Sequence, residues 1–172
     1  MKKILFLLFS TMIVFSACHK DGEEPEQNQP DAQATGKVVL YLDSTKVFEE
    51  ETDNVILHYN HALTFGFYLQ DGTVRLAGSI SNVPNPSASN AIEPNPDSAE
   101  TSTKSYVQLN SDSEDLTAPD GNVIKMIIAK EGEVTRTDNN HLVVSGRCIE
   151  TKDLIHETWY DFRLEITIAS VE

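Results

Sequence analysis

An acidic segment at 110–121 has side chains that could bind a divalent cation. Asp112, Glu114, Asp115 and Asp120 supply carboxylate oxygens, the hard ligands that calcium prefers. Asp115 stands at the sixth position of this segment, where an EF-hand loop needs glycine. We therefore expect either an irregular calcium site of the kind found in β-sandwiches or a solvated acidic loop, and we expect no other cofactor.

Two histidines and a cysteine are further candidates for chemistry. His58 and His61 are three residues apart and would share one face of a helix, as in some zinc sites. The local pattern places them at the end of a strand, so we expect solvated loop histidines. Cys148 continues the apolar series of Leu142 and Val144. We expect a buried small side chain there, because a nucleophile needs a base and an electropositive setting.

The last apolar stretch of the chain alternates with carboxylates and one indole. Glu157, Asp161 and Glu165 could supply the acid pair of a glycoside hydrolase, but a row facing solvent has the same pattern. Trp159 is the only tryptophan and is a candidate platform for stacking a sugar, or a plug at the rim of the core. The sequence has no phosphate loop, nucleophile elbow or HExxH motif, so we expect no enzyme.

Composition limits the classes of partner. The chain has 172 residues and a formal net charge of −14. Such a charge repels nucleic acid and anionic membrane surfaces and favours solubility. We therefore expect no nucleic-acid partner.

Alternation of apolar and polar residues predicts eight or nine short strands and no long helix. Between two of them, Asp71-Gly72 predicts a hairpin with a type I′ turn, whereas 44–53 is expected to be a polar connection with a helical turn around Val47 and Phe48. The segment 81–103 holds several prolines and is expected to be a long loop. The predicted strands are 37–43, 55–59, 63–69, 74–80, 104–109, 123–130, 133–137, 141–150 and 158–168.

These strands predict an all-β domain. An antiparallel two-sheet β-sandwich is the favoured architecture, because the long loop would suit a crossover between sheets, and a β-barrel is the alternative. We expect a signal peptide over 1–17, a flexible acidic tether over 18–35 and a single domain over 36–172.

The first residues have the layout of a secretory signal. Lys2 and Lys3 precede an apolar run over 4–15, which small residues follow up to Cys18. A run of roughly a dozen residues is too short to cross a bilayer, which takes about 20.

The sequence Phe15-Ser16-Ala17-Cys18 resembles a bacterial lipobox. This resemblance implies that Cys18 carries the acyl chains and becomes the first residue of the mature protein. The acid-rich segment 19–26 resembles the tether of surface lipoproteins of the Bacteroidetes type, which implies export to the outer face of the outer membrane. Ser44 and Ser98 each follow an aspartate in a pattern that resembles the O-glycosylation sites of that group.

Together these features predict an envelope lipoprotein held to the membrane through its lipid. We expect a non-catalytic binding or assembly module for a glycan or another envelope protein. The alternative is a structural, adhesin-like subunit in which an open edge strand takes up a neighbour's strand. A glycoside hydrolase is the least favoured class.

Replacing Cys18 with alanine tests the anchor. Each buried CH₂ contributes ~0.8 kcal/mol to membrane binding, so loss of the acylated thiol should move the protein from the membrane fraction to the soluble fraction. Fractionation followed by immunoblotting measures this shift. Unchanged membrane retention of C18A would contradict the lipoprotein assignment.

Overall fold

The structure is a computed structural model, and it describes residues 32–58, 61–95, 103–151 and 157–169. Within these ranges every regular element is a β-strand. No helix in them is long and apolar enough to cross a membrane. The strands are β1 (Ala32–Leu42), β2 (Thr45–Leu57), β3 (Leu63–Tyr68), β4 (Val74–Ile80), β5 (Ala88–Ala91), β6 (Val107–Asn110), β7 (Met126–Arg136), β8 (His141–Thr151) and β9 (Glu157–Ile168).

Eight of these strands form one closed antiparallel barrel in the order β1-β2-β3-β4-β6-β7-β8-β9. Closure occurs because β9 pairs with both β8 and β1. The short strand β5 pairs with residues 133–136 of β7, on the same edge where β6 pairs with residues 126–128. The favoured β-sandwich is therefore wrong and the alternative barrel is correct, since no break in the ladder divides the strands into two sheets.

The barrel interior is filled by one continuous set of apolar side chains. In β9, Tyr160, Phe162, Leu164, Ile166 and Ile168 all point inward and are buried, as the alternation predicts. Inward rows from the other strands meet them, and the core contains side chains from every barrel strand. Burying each such side chain stabilises the fold by roughly 1.5–3 kcal/mol before conformational entropy is counted.

The first hairpin is longer than the sequence predicts. Asp43 and Ser44 have φ values of 47° and 64°, the positive values that both central residues of a type I′ turn require. This tight turn joins β1 directly to β2, so the expected helical turn around Val47 and Phe48 is absent. Because β1 begins at Ala32, residues 32–35 of the predicted tether belong to the barrel.

The hairpin of β3 and β4 is confirmed, but its predicted turn type is wrong. The Leu69 N–H donates to the Thr73 carbonyl at 2.9 Å, and the Gly72 N–H donates to the Leu69 carbonyl at 2.9 Å. Gly72 has a φ of 87°, whereas Asp71 has no positive φ. The loop is therefore a type I turn followed by a left-handed glycine, which is common in hairpins with three-residue loops.

Two predicted elements differ from the structure in extent. The predicted strands 123–130 and 133–137 form the single strand β7, which continues through a bulge between Ala129 and Glu131. The predicted loop 81–103 contains β5, and its Ile92 forms an isolated bridge with Ser105, which follows the loop.

A pair of glycines lets β7 and β8 approach closely next to this bulge. Gly132 and Gly146 lie opposite each other, with φ values of 126° and 151°. A Cβ added to Gly132 would lie 2.0 Å from the Ser145 carbonyl oxygen, and one added to Gly146 would lie 2.0 Å from the Glu131 carbonyl oxygen. Neither position can hold a side chain without moving the backbone of the facing strand.

Gly132→Ala should therefore destabilise the barrel by at least ~2 kcal/mol, because the methyl group meets backbone atoms that cannot rotate away. Gly72→Ala is the matched control, since its φ is also positive but nothing lies within 4 Å of the added Cβ. We expect a loss of only ~1 kcal/mol for the control. Urea denaturation of both variants measures the difference, and equal losses would contradict the close-approach explanation.

Candidate functional site

The outer face of β9 holds an accessible aromatic group next to charged side chains. Trp159 is 45% exposed, and the Arg147 guanidinium carbon lies 4.8 Å from the centre of its ring. Arg147 reaches the indole from β8, where it lies opposite Asp161, and it also pairs with Glu131 at 3.6 Å. Arg147 therefore covers part of one face of the indole and restricts its motion, while close to half of the Trp159 surface remains open to solvent.

A groove of about 380 Å³ lies farther along β9, and its lining includes Asp161, two residues after Trp159, but not Trp159 itself. Asp161 and Arg163 follow Trp159 at alternate positions of β9, and Tyr41 lies opposite Arg163 on β1. The Arg163 Nε donates to Glu165 Oε1 at 2.7 Å. The residues that line the groove are Tyr41, Ser44, Gly146, Asp161, Phe162, Arg163 and Glu165.

The carboxylates of β9 do not form a hydrolytic pair. Asp161 and Glu165 are four residues apart on one strand, which corresponds to about 13 Å at the usual rise. Glycosidases hold their two carboxyl groups roughly 5 to 10 Å apart. Glu157 lies at the start of β9, still farther from Glu165 along the strand, and Glu165 is engaged by Arg163.

The acidic segment after β6 covers one end of the barrel. Leu116 and Ala118 of this segment, together with Ile124 just after it, are buried in the core. The side chains of Ser111 and Ser113 each accept a backbone N–H two residues further on, which shapes the turns between them. The loop is thus held by apolar contacts and local hydrogen bonds, which the sequence pattern of acids did not reveal.

The four candidate calcium ligands do not converge in the structure. The Lys125 ammonium group lies between two of the candidate ligands. Its Nζ donates to Glu114 Oε1 at 2.7 Å and to the Asp112 carbonyl at 3.2 Å. Asp120 instead accepts from the backbone and side chain of Asn122. Among the residues that the structure describes, no three His, Cys, Asp or Glu side chains form a group able to hold a metal ion. Asp115, the fourth candidate ligand, therefore belongs to no such group.

A polar cluster lies where this loop meets the barrel. The Tyr160 hydroxyl donates to Asp120 Oδ2 at 3.0 Å. Burial, followed by the bond to Asp120 and its charge, raises the pKa of Tyr160 to about 12. The backbone N–H of Asn122 is the main cause that lowers the pKa of Asp120. Tyr160 therefore remains a neutral hydrogen-bond donor at physiological pH.

Glu150 of β8 is an acidic residue that is buried in the protein interior. It points inward near the end of β8, on the same strand face as Cys148, and is only 2% exposed. Its Oε1 has no hydrogen-bond partner within the described residues. Glu150 is not among the predicted site residues, although its inward position after Leu142, Val144 and Cys148 could have identified it.

The remaining candidates are not brought together. Cys148 is fully buried, as predicted, and burial is the main cause that raises its pKa to about 12, so the thiol is unreactive at neutral pH. The His58 Nε2 lies 3.0 Å from Thr64 Oγ1, and His61 is exposed in a turn with a φ of 59°. Ser44 is exposed beside the groove, whereas Ser98 and Cys18 lie outside the described residues.

Comparisons with protein families, curated proteins and solved structures give no match.

Substituting Glu150 with glutamine tests the cost of its burial. Burying a carboxyl oxygen without a hydrogen bond is costly, and a neutral amide of the same shape costs less to bury, so E150Q should be more stable at pH 7 by about 1 kcal/mol. Glu133→Gln on the exposed surface of β7 is the control and should change stability by less than ~0.5 kcal/mol. Thermal and urea unfolding measure both variants; a less stable E150Q would show that Glu150 has a stabilising partner.

Proposed function

We propose that this chain is a lipid-anchored envelope protein, exposed at the outer surface, whose barrel binds a glycan without cleaving it. The observation that carries this proposal is the exposed Trp159 of β9, with Arg147 against its ring and a groove lined by Asp161, two residues farther along the strand. An open indole offers a flat apolar surface for the C–H face of a sugar ring, and nearby charged side chains can accept or donate hydrogen bonds to its hydroxyl groups.

The surroundings of Trp159 favour binding over simple structural support. A tryptophan that plugs the rim of a core would be largely buried, whereas this one is 45% exposed. Arg147 reduces the freedom of the indole before any ligand arrives, which lowers the entropy cost of binding. Tyr41, Asp161 and Arg163 then supply polar groups within the adjacent groove.

The same face supports a binding module better than a hydrolase. The spacing of Asp161 and Glu165 along the strand does not suit an acid–base pair, and Arg163 already holds Glu165. The predicted lipid at Cys18 would keep such a module at the membrane surface. This arrangement fits a protein that holds a glycan near the cell rather than one that degrades it.

Replacing Trp159 with alanine is the decisive test. Because Trp159 is the only tryptophan, its fluorescence in the wild-type chain reports directly on ligands at this site. A panel of neutral and acidic oligosaccharides is screened on the full chain, and hits are titrated by fluorescence and calorimetry. We expect W159A to weaken binding about tenfold or more, as loss of a stacked aromatic contact implies.

Tyr68→Ala provides a matched control, because Tyr68 is another exposed aromatic residue, at 57%, and lies on β3, which β2 and β1 separate from β9. It should leave glycan binding unchanged. Binding that survives in W159A, or a panel in which no oligosaccharide changes the Trp159 emission, would refute the proposed site.

The alternative function, strand exchange with a neighbour, needs an unpaired strand edge. The structure has one on β2 over residues 45–54, away from Trp159.

A further inference from the structure

The edge of β2 that faces β3 is unpaired for most of its length. On its other side, β2 pairs with β1 from Thr45 to Leu57. With β3 it forms only three register pairs, at Val55, Ile56 and Leu57. Among the described residues no other strand pairs with 45–54. The backbone groups on this side of β2 therefore form an open edge in the wall of the barrel.

A bulge in β2 causes β2 and β3 to separate. The register with β1 shifts between Ala34 and Gly36, where Asp53 and Asn54 are accommodated on β2. The Asn54 N–H donates to Thr52 Oγ1 at 3.1 Å, and the Thr52 hydroxyl donates to the Gly66 carbonyl at 2.8 Å. The Thr52 hydroxyl thus takes the place of the next backbone hydrogen bond between β2 and β3, and the ladder ends there.

The separation leaves a cleft of about 590 Å³ between the two strands. Its inner side is closed by apolar packing, because the Phe48 and Phe67 rings lie 4.8 Å apart. Tyr68 stands at the outer side and is 57% exposed. The residues that line the cleft are Thr35, Glu50, Glu51, Thr52, Asp53, Asn54, Gly66, Phe67 and Tyr68.

The charges along this edge are only partly neutralised. Hydrogen bonds from Lys37 and Lys46 lower the pKa of Glu49 to about 2. Glu50 pairs with Arg75, whose guanidinium carbon also lies 5.7 Å from the centre of the Phe48 ring.

Two further carboxylates remain available. Glu51 and Asp53 are exposed, and neither has an ion-pair partner among the described residues. The contact between Arg75 and Glu50 shows that a guanidinium group fits beside the acids of this cleft. The edge thus combines a backbone that β3 leaves unpaired with two exposed carboxylates that form no ion pair within the described ranges.

We propose that the open edge of β2 binds an extended segment of another protein that carries alternating Lys or Arg side chains and adds to the barrel as a strand. Backbone hydrogen bonds to 45–54 supply affinity, and Glu51 and Asp53 select the basic side chains. A second copy of this chain is a poor occupant, because pairing two such edges would bring carboxylates together, and the chain has a net charge of −14.

The test uses the full chain and a synthetic peptide of alternating threonine and lysine, blocked at both ends. Calorimetry measures affinity, and hydrogen exchange measures protection of the amides in 45–54. We expect binding that protects these amides and that weakens with added salt. The same peptide with glutamate in place of lysine should not bind.

Two comparisons separate strand addition from a simple attraction of charges. N-methylation of alternate peptide amides keeps the charge but removes ladder donors, and it should weaken binding about tenfold or more. The double variant Glu51→Gln, Asp53→Asn should weaken binding roughly three- to tenfold. Glu133→Gln with Asp138→Asn removes the same charge from β7 and the turn after it, away from the cleft, and should have little effect.

Equal affinity for the N-methylated and parent peptides, or no protection of 45–54, would overturn the proposal. Absence of binding to the lysine peptide would overturn it too, and the acids would then serve only to prevent edge pairing. W159A should bind the peptide as the wild type does, so failure at the β2 edge and failure at the glycan site are distinguishable.

Discussion

The ladder between β1 and β9 is the interaction on which the structure depends. It pairs residues from Gly36 to Leu42 with those from Ile168 to Phe162, so the beginning and the end of the described chain lie side by side. Without this ladder the other strands would form an open sheet with two long edges and a half-covered apolar face. Closing so long a loop has a large entropic cost, which the burial of Leu40, Leu164 and Ile166 inside the barrel offsets.

Closure also determines where the barrel must bend and where it must be covered. Gly132 and Gly146 allow β7 and β8 to approach more closely than any side chain would permit. At one end, the loop after β6 inserts Leu116 and Ile124 into the core, and Asp120 binds Tyr160. The acids of that loop remain on the outside because its apolar residues are the ones that the core requires.

Filling the interior leaves the outer surface as the place for recognition. The described core is one continuous apolar cluster, and the two proposed ligands would meet a strand face and a strand edge. The face of β9 offers an aromatic ring and a shallow groove, which suits a rigid sugar. The edge of β2 offers unpaired backbone, which suits an extended peptide. These two surfaces differ in chemistry, so one barrel can carry both without competition.

The sequence by itself determined which residues face inward, because alternation along a strand is a local property. The buried row of β9, the burial of Cys148 and the hairpin of β3 and β4 all follow from it. Only the tertiary structure decided between barrel and sandwich, since that choice depends on whether β1 meets β9, a pairing of residues far apart in the chain. The burial of Glu150, whose Oε1 has no hydrogen-bond partner among the described residues, and the open edge of β2 were decided in the same way, because each depends on what neighbouring strands place opposite it.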